Sequence, residues 1–283
     1  MLANNQKAGG ISVLIDTETS VHRGFLEVSG IDLDKLLYLR LNKVEDIFDT
    51  IETMIVKVRE KNKDIKLAIA VDSLAGATTK IEDESNYNKD GWSTAKAIIT
   101  SKAMRKMTDM IGSYNIALIF TQQLRINLGV TFGDNATTSG GKALGFHASV
   151  RLRLDKSTKI YDKEKNVIGI NIRAKVIKNR MGPPLRVAVF QVYFDRGIDD
   201  YSSWLLTLKE KGVISVGGAW YSLILKDGEV KKFQSKSWDG MLKDKEMKEY
   251  VYGLLCKACI LEYKPEKAID IDEIEISEEM IVE

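Results

Sequence analysis

The chain of 283 residues contains few of the residues that cross-link a protein or ligate metals: two cysteines and two histidines, with only three prolines. Cys256 and Cys259 cannot build a disulfide framework or a four-ligand zinc site by themselves, so we expect them to pack on a helix. No apolar run approaches the ~18 residues that a bilayer span needs. The start of the chain also lacks the charged and then apolar layout of a secretory signal. These absences predict a soluble cytoplasmic protein with no membrane partner.

The composition predicts a folded chain with an uneven charge. Hydrophobic residues make up 44% and charged residues 29%, enough for one core with a smaller satellite domain. The net charge is only +2, yet residues 266–283 hold eight acids and one base, a charge of −7. The remainder has 41 bases and 32 acids, hence +9. A basic body suggests a polyanion-binding surface for which the tail competes, although acidic ends also serve solubility alone.

Short apolar runs alternate with helical patterns in the first half of the chain. This alternation predicts an α/β sheet of buried parallel strands with crossover helices. The expected strands are residues 11–15, 37–41, 67–71 and 116–121. One helix is expected over residues 44–58, with a capping box formed by Asn42 and Glu45. A second helix is expected over residues 93–111, with Ile99, Ala103, Met107 and Met110 facing the core.

Antiparallel strands and a small second domain are expected after the glycine-rich region. The strands are residues 149–155, 167–178 and 187–194, with a polar turn at 162–166. A small α/β unit follows, with a helix over residues 245–261 and with Trp204, Trp220 and Tyr221 as core aromatics. The predicted organisation is a core at residues 1–197, a C-terminal domain at 198–265 and a disordered acidic tail at 266–283.

Polar groups follow three of the strands, at the edge where α/β sheets bind ligands. Asp72 ends an apolar strand as in a Walker B motif, where a carboxylate holds Mg²⁺, although an Asp-Ser step also fits a turn or a helix cap. Asp16 and Glu18 follow another strand, and a carboxylate there could deprotonate an attacking water. The glutamines at 122–123 follow a third strand and could sense a phosphate. Three such groups in this chain order favour a nucleotide site.

A long glycine-rich segment, LRINLGVTFGDNATTSGGKALGF, follows Gln123. Loops of this length in compact domains are usually functional or disordered. Backbone N–H groups around residues 138–141 could bind phosphates as a nest, with charge added by Arg125 and Lys142. A second loop, residues 81–92, leads into the helix that carries Ser101 and Arg105. These two side chains lie four residues apart and therefore share one helix face.

Five segments, in this order along the chain, resemble the corresponding segments of one protein family. They are VDSLAGATTK, SKAMRKM, LIFTQQLRINLGVTFGDNATTSGGKALGFHASVRLRL, KVIKNRMGPP and GAWYS. They resemble the RecA family of DNA strand-exchange recombinases over about residues 10–261. The sequence around Gly197–Tyr201 and Trp238 is also similar to the phage UvsX branch. The resemblance implies a RecA-like ATPase core, with a mostly parallel central sheet extended by antiparallel strands, plus a small C-terminal α/β domain. It also implies a bacterial cell or a phage-infected one.

The resemblance implies a nucleotide-related role for five residues. Glu18 matches the catalytic glutamate that activates water, Asp72 the Walker B aspartate that holds the metal, and Gln123 the γ-phosphate sensor. Lys178 and Arg180 match a basic pair that reaches ATP on the neighbouring subunit. The family has lysine in place of Arg180, which keeps the charge but changes the geometry. The implied cofactors are ATP and Mg²⁺.

The resemblance also implies DNA contacts and a filament. Residues 81–92 and 124–141 match two DNA-binding loops that line the filament axis, and Phe146 matches a subunit-interface residue. The implied contacts to the DNA backbone are Ser101, Arg105, Arg125, Ser139, Gly140, Gly141 and Lys142. The family usually has asparagine where Gln122 and Lys142 stand. The implied partners are single-stranded DNA, double-stranded DNA and further copies of the chain in a homo-oligomeric filament.

The largest departure from the family is the absence of a Walker A loop, G-x-x-x-x-G-K-[ST], which cradles phosphates. The only Gly-Lys step, Gly141–Lys142, is followed by Ala143 and has Ala136 five residues before its glycine. We therefore expect a C-terminal portion of a recombinase that binds nucleotide poorly alone, exposes a sheet edge and partners a separate N-terminal fragment. The expected activity is ATP-dependent strand exchange. The alternative is a non-enzymatic paralogue that binds DNA or modulates recombinase filaments.

Overall fold

The computed structural model describes residues 1–83, 92–126, 136–138 and 142–260. The chain divides into two compact units, Met1–Asp199 and Asp200–Glu283. The boundary expected from the sequence, after residue 197, falls close to this division. The acidic segment at residues 266–283 lies outside the described residues.

The first unit is built on a parallel four-stranded sheet. Its strands are β1 (Ile11–Asp16), β2 (Leu36–Arg40), β3 (Leu67–Asp72) and β4 (Ile116–Phe120). The helices are α1 (Leu2–Lys7), α2 (Arg23–Val28), α3 (Val44–Lys61), α4 (Lys80–Asp83), α5 (Trp92–Ser113) and α6 (Ala143–His147). The strand order is β2-β1-β3-β4. Each predicted apolar run forms one of these strands, and both predicted helices are present, so the predicted α/β core is confirmed.

The main hydrophobic core joins the central strands to helices α3 and α5. Its buried side chains recur at helical spacing in α3 and at every second position in β3, as the different periods of helix and strand require. They include Ile15, Ile47, Ile51, Ile55, Ile69 and Val71. Met107 of α5 is buried among them, and Ile99, Ala103 and Met110 pack against the same cluster. The core face predicted for α5 is therefore confirmed.

The capping box predicted at the start of α3 is wrong. No side chain caps this helix, and the carboxylate of Glu45 instead accepts the backbone N–H of Lys80, with N–O distances of 3.1 and 3.2 Å. A capping box forms at α4, where Thr79 and Glu82 exchange hydrogen bonds of 3.1 and 3.2 Å. The Glu45 carboxylate, which the local spacing assigned to Asn42, therefore binds instead to Lys80, a residue remote in the chain.

Arg59 is a buried arginine near the end of α3. Its guanidinium donates hydrogen bonds to the backbone oxygens of Asn62, Ile65 and Asn115, at 3.2, 2.8 and 2.9 Å. Ile65 and Asn115 lie just before β3 and β4. The side chain therefore ties together the amino ends of two neighbouring strands, and these hydrogen bonds offset the cost of burying its charge.

An antiparallel sheet completes the first unit. Its strands are β7 (Val150–Tyr161), β8 (Val167–Asn179), β9 (Val187–Tyr193) and β10 (Gly197–Asp199), in the order β10-β9-β8-β7. The turn between β7 and β8 is held by the carboxylate of Asp162, which accepts backbone N–H groups of Glu164 and Asn166 at 2.9 and 2.8 Å. The three predicted strands and their turn are confirmed, and β7 extends beyond the predicted residue 155 up to this turn.

The second unit is a small α/β fold. Its elements are α7 (Asp200–Glu210), β11 (Ile214–Gly217), β12 (Trp220–Ile224), β13 (Val230–Phe233), α8 (Trp238–Met241) and α9 (Lys245–Cys259). The three strands are antiparallel in the order β11-β12-β13. Cys256 and Cys259 lie half-buried in α9 as reduced thiols.

Trp238 is the central aromatic residue of the second unit. Its side chain is 1% exposed, stacks on Phe233 with ring centroids 5.2 Å apart, and donates from Nε1 to the backbone oxygen of Tyr201 at 2.7 Å. Trp204 and Tyr221 pack against this core as predicted. Trp220 is 51% exposed, so its predicted place in the core is wrong. Strand β12 alternates its faces, and Trp220 and Tyr221 therefore point to opposite sides.

Candidate functional site

The carboxyl ends of the parallel strands bring together Glu18, Asp72 and Gln123, three residues that the sequence singled out. Asp16 and Asp72 are register partners on β1 and β3, and Val71 pairs with Phe120 on β4. The residues that follow these strands therefore meet at one edge of the sheet. A small cleft of about 130 Å³ lies at this edge, and it is lined by Glu18, Asp72, Ser73, Thr121, Gln122 and Gln123.

Asp16 is buried behind the cleft and shapes the turn that carries Glu18. Its carboxylate accepts the backbone N–H groups of Glu18 and Thr19, at 3.0 and 2.8 Å, and the Tyr38 hydroxyl at 2.7 Å. Burial alone would raise the pKa of Asp16, but the Tyr38 hydroxyl and the backbone donors outweigh it and hold the pKa below its ordinary value. Asp16 is therefore an ionised support for the turn.

Glu18 is held from the β3 side of the cleft. The Ser73 hydroxyl donates to Oε1 of Glu18 at 2.7 Å. The hydroxyl of Thr17 donates to the backbone oxygen of Ser73 at 2.6 Å and accepts its N–H at 3.1 Å. Gly76 lies directly against Glu18, because a Cβ on it would stand 2.6 Å from the Glu18 Cγ. The carboxylate thus has one engaged oxygen and a fixed side-chain direction.

Asp72 is held from β4. The Thr121 hydroxyl donates to Oδ1 of Asp72 at 2.7 Å, and the backbone N–H of Thr121 donates to the backbone oxygen of Val71 at 3.1 Å. The sequence reasoning missed Ser73 and Thr121. Their only signal is that each directly follows a carboxylate or a strand at this edge, and hydroxyl residues are common at such positions for structural reasons.

The two glutamines that follow β4 have different environments. Gln123 is exposed beside the cleft, whereas Nε2 and Oε1 of Gln122 are both buried without a hydrogen-bond partner among the described residues. Each buried unpaired polar group costs about 1–3 kcal/mol. A bound group that pairs with the Gln122 amide would recover this cost, and sequence reasoning did not single out this residue for that property.

A short β-hairpin closes the base of the glycine-rich segment. Its strands are β5 (Leu124–Ile126) and β6 (Ala136–Thr138), with Arg125 paired to Thr137. The sequence analysis expected no regular structure here. Lys142 is exposed directly before α6. The predicted contacts Ser139, Gly140 and Gly141 lie outside the described residues.

The predicted DNA contacts on α5 form one local pair. The guanidinium of Arg105 donates to the Ser101 hydroxyl at 3.3 Å, and Arg105 is exposed. Farther along the helix, the Thr108 hydroxyl and Nδ1 of His147 are 3.0 Å apart, which joins α5 to α6. Of the DNA-binding loop predicted at residues 81–92, residues 84–91 lie outside the described residues, and its described ends belong to helices α4 and α5.

Lys178 and Arg180 contact helix α6 of their own chain. The Lys178 ammonium donates to the backbone oxygens of Gly145 and Phe146 at 3.0 and 2.6 Å, and Arg180 donates to Phe146 at 3.1 Å. Burial, followed by the neighbouring charges of Arg180 and Arg151, lowers the pKa of Lys178. The ring of Phe146 is 70% exposed. Neither cation lines the cleft.

The donor set of the cleft suits Mg²⁺ together with phosphate oxygens. Carboxylate and hydroxyl oxygens are the ligands that this ion prefers, and it usually keeps several waters and substrate phosphates. In the described ranges there is no group of three or more acidic, histidine or cysteine residues that could hold a metal. Asp72 would supply one ligand to such an ion. Among the residues that the structure describes, no helix is long and apolar enough to cross a membrane.

Strand-end carboxylates, hydroxyls and amides at one edge of a parallel sheet, with an added antiparallel sheet, define an α/β protein of the class that binds ligands at the carboxyl ends of its strands. Comparison with known families agrees with this class. The family model of the RecA N-terminal domain matches residues 1–199.

Curated relatives named Protein RecA cover most of the chain. The protein from Porphyromonas gingivalis is 38% identical over 223 residues, which is 78% of this chain and 63% of the relative. Those from Cereibacter sphaeroides and Thermus thermophilus are 35% and 32% identical, over 78% and 83% of this chain and 62% and 66% of the relatives. The chain thus spans less than two thirds of these relatives' length. It belongs to the RecA family.

Proposed function

We propose that this chain carries the nucleotide-sensing and DNA-binding part of an ATP-dependent strand-exchange recombinase of homologous recombination and DNA repair. The observation that carries the proposal is the position of Gln123. This residue lines the cleft beside Glu18 and Asp72 and directly precedes β5, the first strand of the hairpin that contains Arg125. A change in the cleft can therefore reach the hairpin through one residue.

The cleft has the groups that nucleotide hydrolysis needs from this edge of the sheet. Because Ser73 engages Oε1 of Glu18, the other carboxylate oxygen is the one that would take a proton from an attacking water. Asp72, oriented by Thr121, would hold Mg²⁺, which supplies charge neutralisation on the phosphates when bound. Carboxylates repel a triphosphate, so binding also requires a phosphate-binding loop in addition to the 283 residues.

The hairpin, the residues that follow it up to Lys142, and helix α5 would bind the sugar–phosphate backbone of single-stranded DNA. Each proposed contact offers a positive charge, a hydroxyl group or a backbone N–H, and each of these groups binds phosphate oxygens. The contacts are Ser101, Arg105, Arg125, Ser139, Gly140, Gly141 and Lys142. Binding of this kind depends little on base sequence and falls steeply with salt. Double-stranded DNA would be the second substrate, as strand exchange requires.

A homo-oligomeric filament would give Lys178 and Arg180 their second role. In the free chain both side chains donate to the carbonyl end of α6, next to the exposed Phe146 ring. In the filament we propose that α6 packs on a neighbouring copy and that the two cations reach the phosphates bound there. The work of the protein would take place in the cytoplasm of a bacterial or phage-infected cell.

The second candidate is a non-enzymatic paralogue that binds DNA or modulates the filaments of an intact recombinase. The observation that favours it is the absence of a G-x-x-x-x-G-K-[ST] motif from the 283 residues. The presence of Glu18, Asp72 and Gln123 around one cleft favours the first candidate, because a DNA-binding paralogue has no need of a water-activating carboxylate.

The two candidates are separated by measuring DNA binding and hydrolysis in parallel. Fluorescence anisotropy with a labelled oligo-deoxythymidine measures binding by the purified chain, and Arg125→Ala is expected to weaken it. ATP hydrolysis is then measured after addition of a separate N-terminal recombinase fragment that contains a Walker A loop. DNA-stimulated hydrolysis that Glu18→Gln abolishes supports the enzyme. DNA binding without any hydrolysis supports the paralogue, and absence of DNA binding overturns the enzyme and the DNA-binding form of the paralogue.

A further inference from the structure

We propose that Lys96 is a positioning residue that fixes Glu18 and couples it to the start of helix α5. The coupling rests on the proposed function, in which Glu18 activates water and helix α5 binds DNA through Ser101 and Arg105. Lys96 lies in the first turns of the same helix, and it is only 8% exposed. A lysine this deeply buried in a soluble domain needs hydrogen bonds for its ammonium group.

The ammonium of Lys96 clamps the turn that follows β3. It donates to the backbone oxygen of Ala75 at 3.0 Å and also to that of Ala77. These two acceptors flank Gly76. The side chain therefore holds the turn on both sides of the glycine, and any displacement of Lys96 must either break these hydrogen bonds or carry the turn with it.

The clamped turn supports Glu18 from behind. The space between Gly76 and Glu18 is closed, because a Cβ on the glycine would come within 3.0 Å of Oε1 and 2.6 Å of Cγ. Ser73, at the beginning of the same turn, donates to Oε1. The direction of the Glu18 carboxylate thus depends on where the turn lies, and Lys96 holds the part of the turn around Gly76.

The far end of this turn is anchored on α3 and cannot follow α5. Thr78 donates its N–H to Asn42 at 2.8 Å and accepts the N–H of Val44 at 2.8 Å. The Lys80 ammonium forms a 2.7 Å ion pair with Asp46. A shift at the start of α5 is therefore concentrated in the residues before Thr78, where Gly76 touches Glu18.

The positioning role is tested first in the free chain with Lys96→Met, followed by NMR. This variant removes both hydrogen bonds, so we expect about tenfold faster amide exchange at Ser73 and Gly76, as loss of a local hydrogen bond predicts. The NMR chemical shift of the Glu18 side-chain carboxyl carbon is expected to change. Ile69, in the middle of β3, reports whether the sheet stays folded. Lys96→Arg keeps the charge and the donors and is expected to restore most of the wild-type behaviour.

A matched control and a second variant keep the test decisive. Lys102→Met removes an exposed lysine from the same helix and is expected to leave Ser73, Gly76 and Glu18 unchanged. If Lys96→Met also raises exchange at Ile69, it has lost its fold, and Lys96→Gln, which keeps one shorter donor, is measured instead. Unchanged exchange at Ser73 and Gly76 in a folded variant overturns the positioning role.

The coupling is tested by adding oligo-deoxythymidine to the same samples. Wild-type chain is expected to bind it and to shift the Glu18 carboxyl signal, whereas Lys96→Met binds with unchanged affinity and shows no such shift. A Glu18 shift that persists in the variant overturns the coupling alone. Failure of the wild-type chain to bind DNA overturns the proposed function and the coupling with it, and the result in the free chain still decides the positioning role.

Discussion

The hydroxyl of Ser73 donates a 2.7 Å hydrogen bond to Oε1 of Glu18, across the gap between the turns that follow β3 and β1. The two turns lie side by side because β1 and β3 are adjacent parallel strands in register from Ile11 to Asp16. A carboxylate on one strand end is thus oriented by a hydroxyl on the next. The geometry of the cleft depends on these contacts between strand ends, and each can be tested separately.

Gly76→Ala is expected to displace Glu18. The new methyl group would overlap the Glu18 side chain, and overpacking of this kind costs about 1–3 kcal/mol of unfolding free energy. Urea unfolding measures the cost. Gly112→Ala is the matched control, because an added Cβ at this helical glycine would meet no atom within 4 Å apart from its chain neighbours and the backbone of its own helix. That variant should be stabilised by about 0.5–1 kcal/mol, as expected for glycine in a helix. Equal effects of both changes would contradict the close contact.

Tyr38→Phe is expected to destabilise the protein by about 1.5–3 kcal/mol at neutral pH, because it removes a hydrogen bond to the ionised Asp16. The folded-state pKa of Asp16 lies below its ordinary value of 3.8. The stabilisation is therefore fully present above pH 3.8 and is lost as the pH falls through the lower folded-state pKa. Urea unfolding of both proteins across this range measures the difference.

Tyr161→Phe provides the comparison for this pH series. Tyr161 is exposed at the end of β7, far along the chain from Asp16, and its change should leave the stability within about 0.5 kcal/mol at every pH. A difference between Tyr38→Phe and wild type that grows on acidification would mean that the hydroxyl does not favour the ionised carboxylate.

Arg125→Ala is expected to change the salt dependence of single-stranded DNA binding as well as the affinity. Each phosphate contact contributes about −0.7 to the slope of log K against log salt concentration for single strands. The slope should therefore fall in magnitude by about 0.7. Lys163→Ala, in the exposed β7–β8 turn, should leave it unchanged. Anisotropy titrations at several salt concentrations give the slope, and an equal loss in both variants would indicate only a general effect of net charge.

Trp238→Phe is expected to destabilise the second unit by about 2–4 kcal/mol, because it opens a cavity and removes the hydrogen bond to the Tyr201 backbone oxygen. Amide exchange in α7 and β12 measures the effect. Trp220→Phe alters an exposed side chain of the same type and should change exchange little. Similar protection losses in the two variants would show that Trp238 is not the centre of this core.

The sequence predicts the strands and long helices well because their periodicities are local and repeated. The run at residues 67–71 and the helical spacing from Ile47 to Ile55 each contain several consistent signals. The hairpin of β5 and β6 was missed because three-residue strands separated by nine residues carry no periodicity. Glu45 was misassigned because its partner, Lys80, is remote in the chain.

The candidate site was predictable in its carboxylates but not in its supports. Glu18 and Asp72 stand out as acids after apolar strands. The hydroxyls of Ser73 and Thr121 do not stand out, because their role appears only when register places β1 beside β3 and β4 beside β3. The burial of the Gln122 amide depends likewise on tertiary packing, which no single position in the chain records.

Arg59 and Thr121 hold strands β3 and β4 together at opposite ends of the parallel sheet. The three hydrogen bonds of Arg59 fasten the chain just before the two strands begin. Where the strands end, the backbone N–H of Thr121 donates to the backbone oxygen of Val71 and its hydroxyl donates to Asp72. Because both ends are fastened, rotation of β3 against β4 is restrained, and the spacing between Asp72 and the residues after β4 is set by the sheet itself.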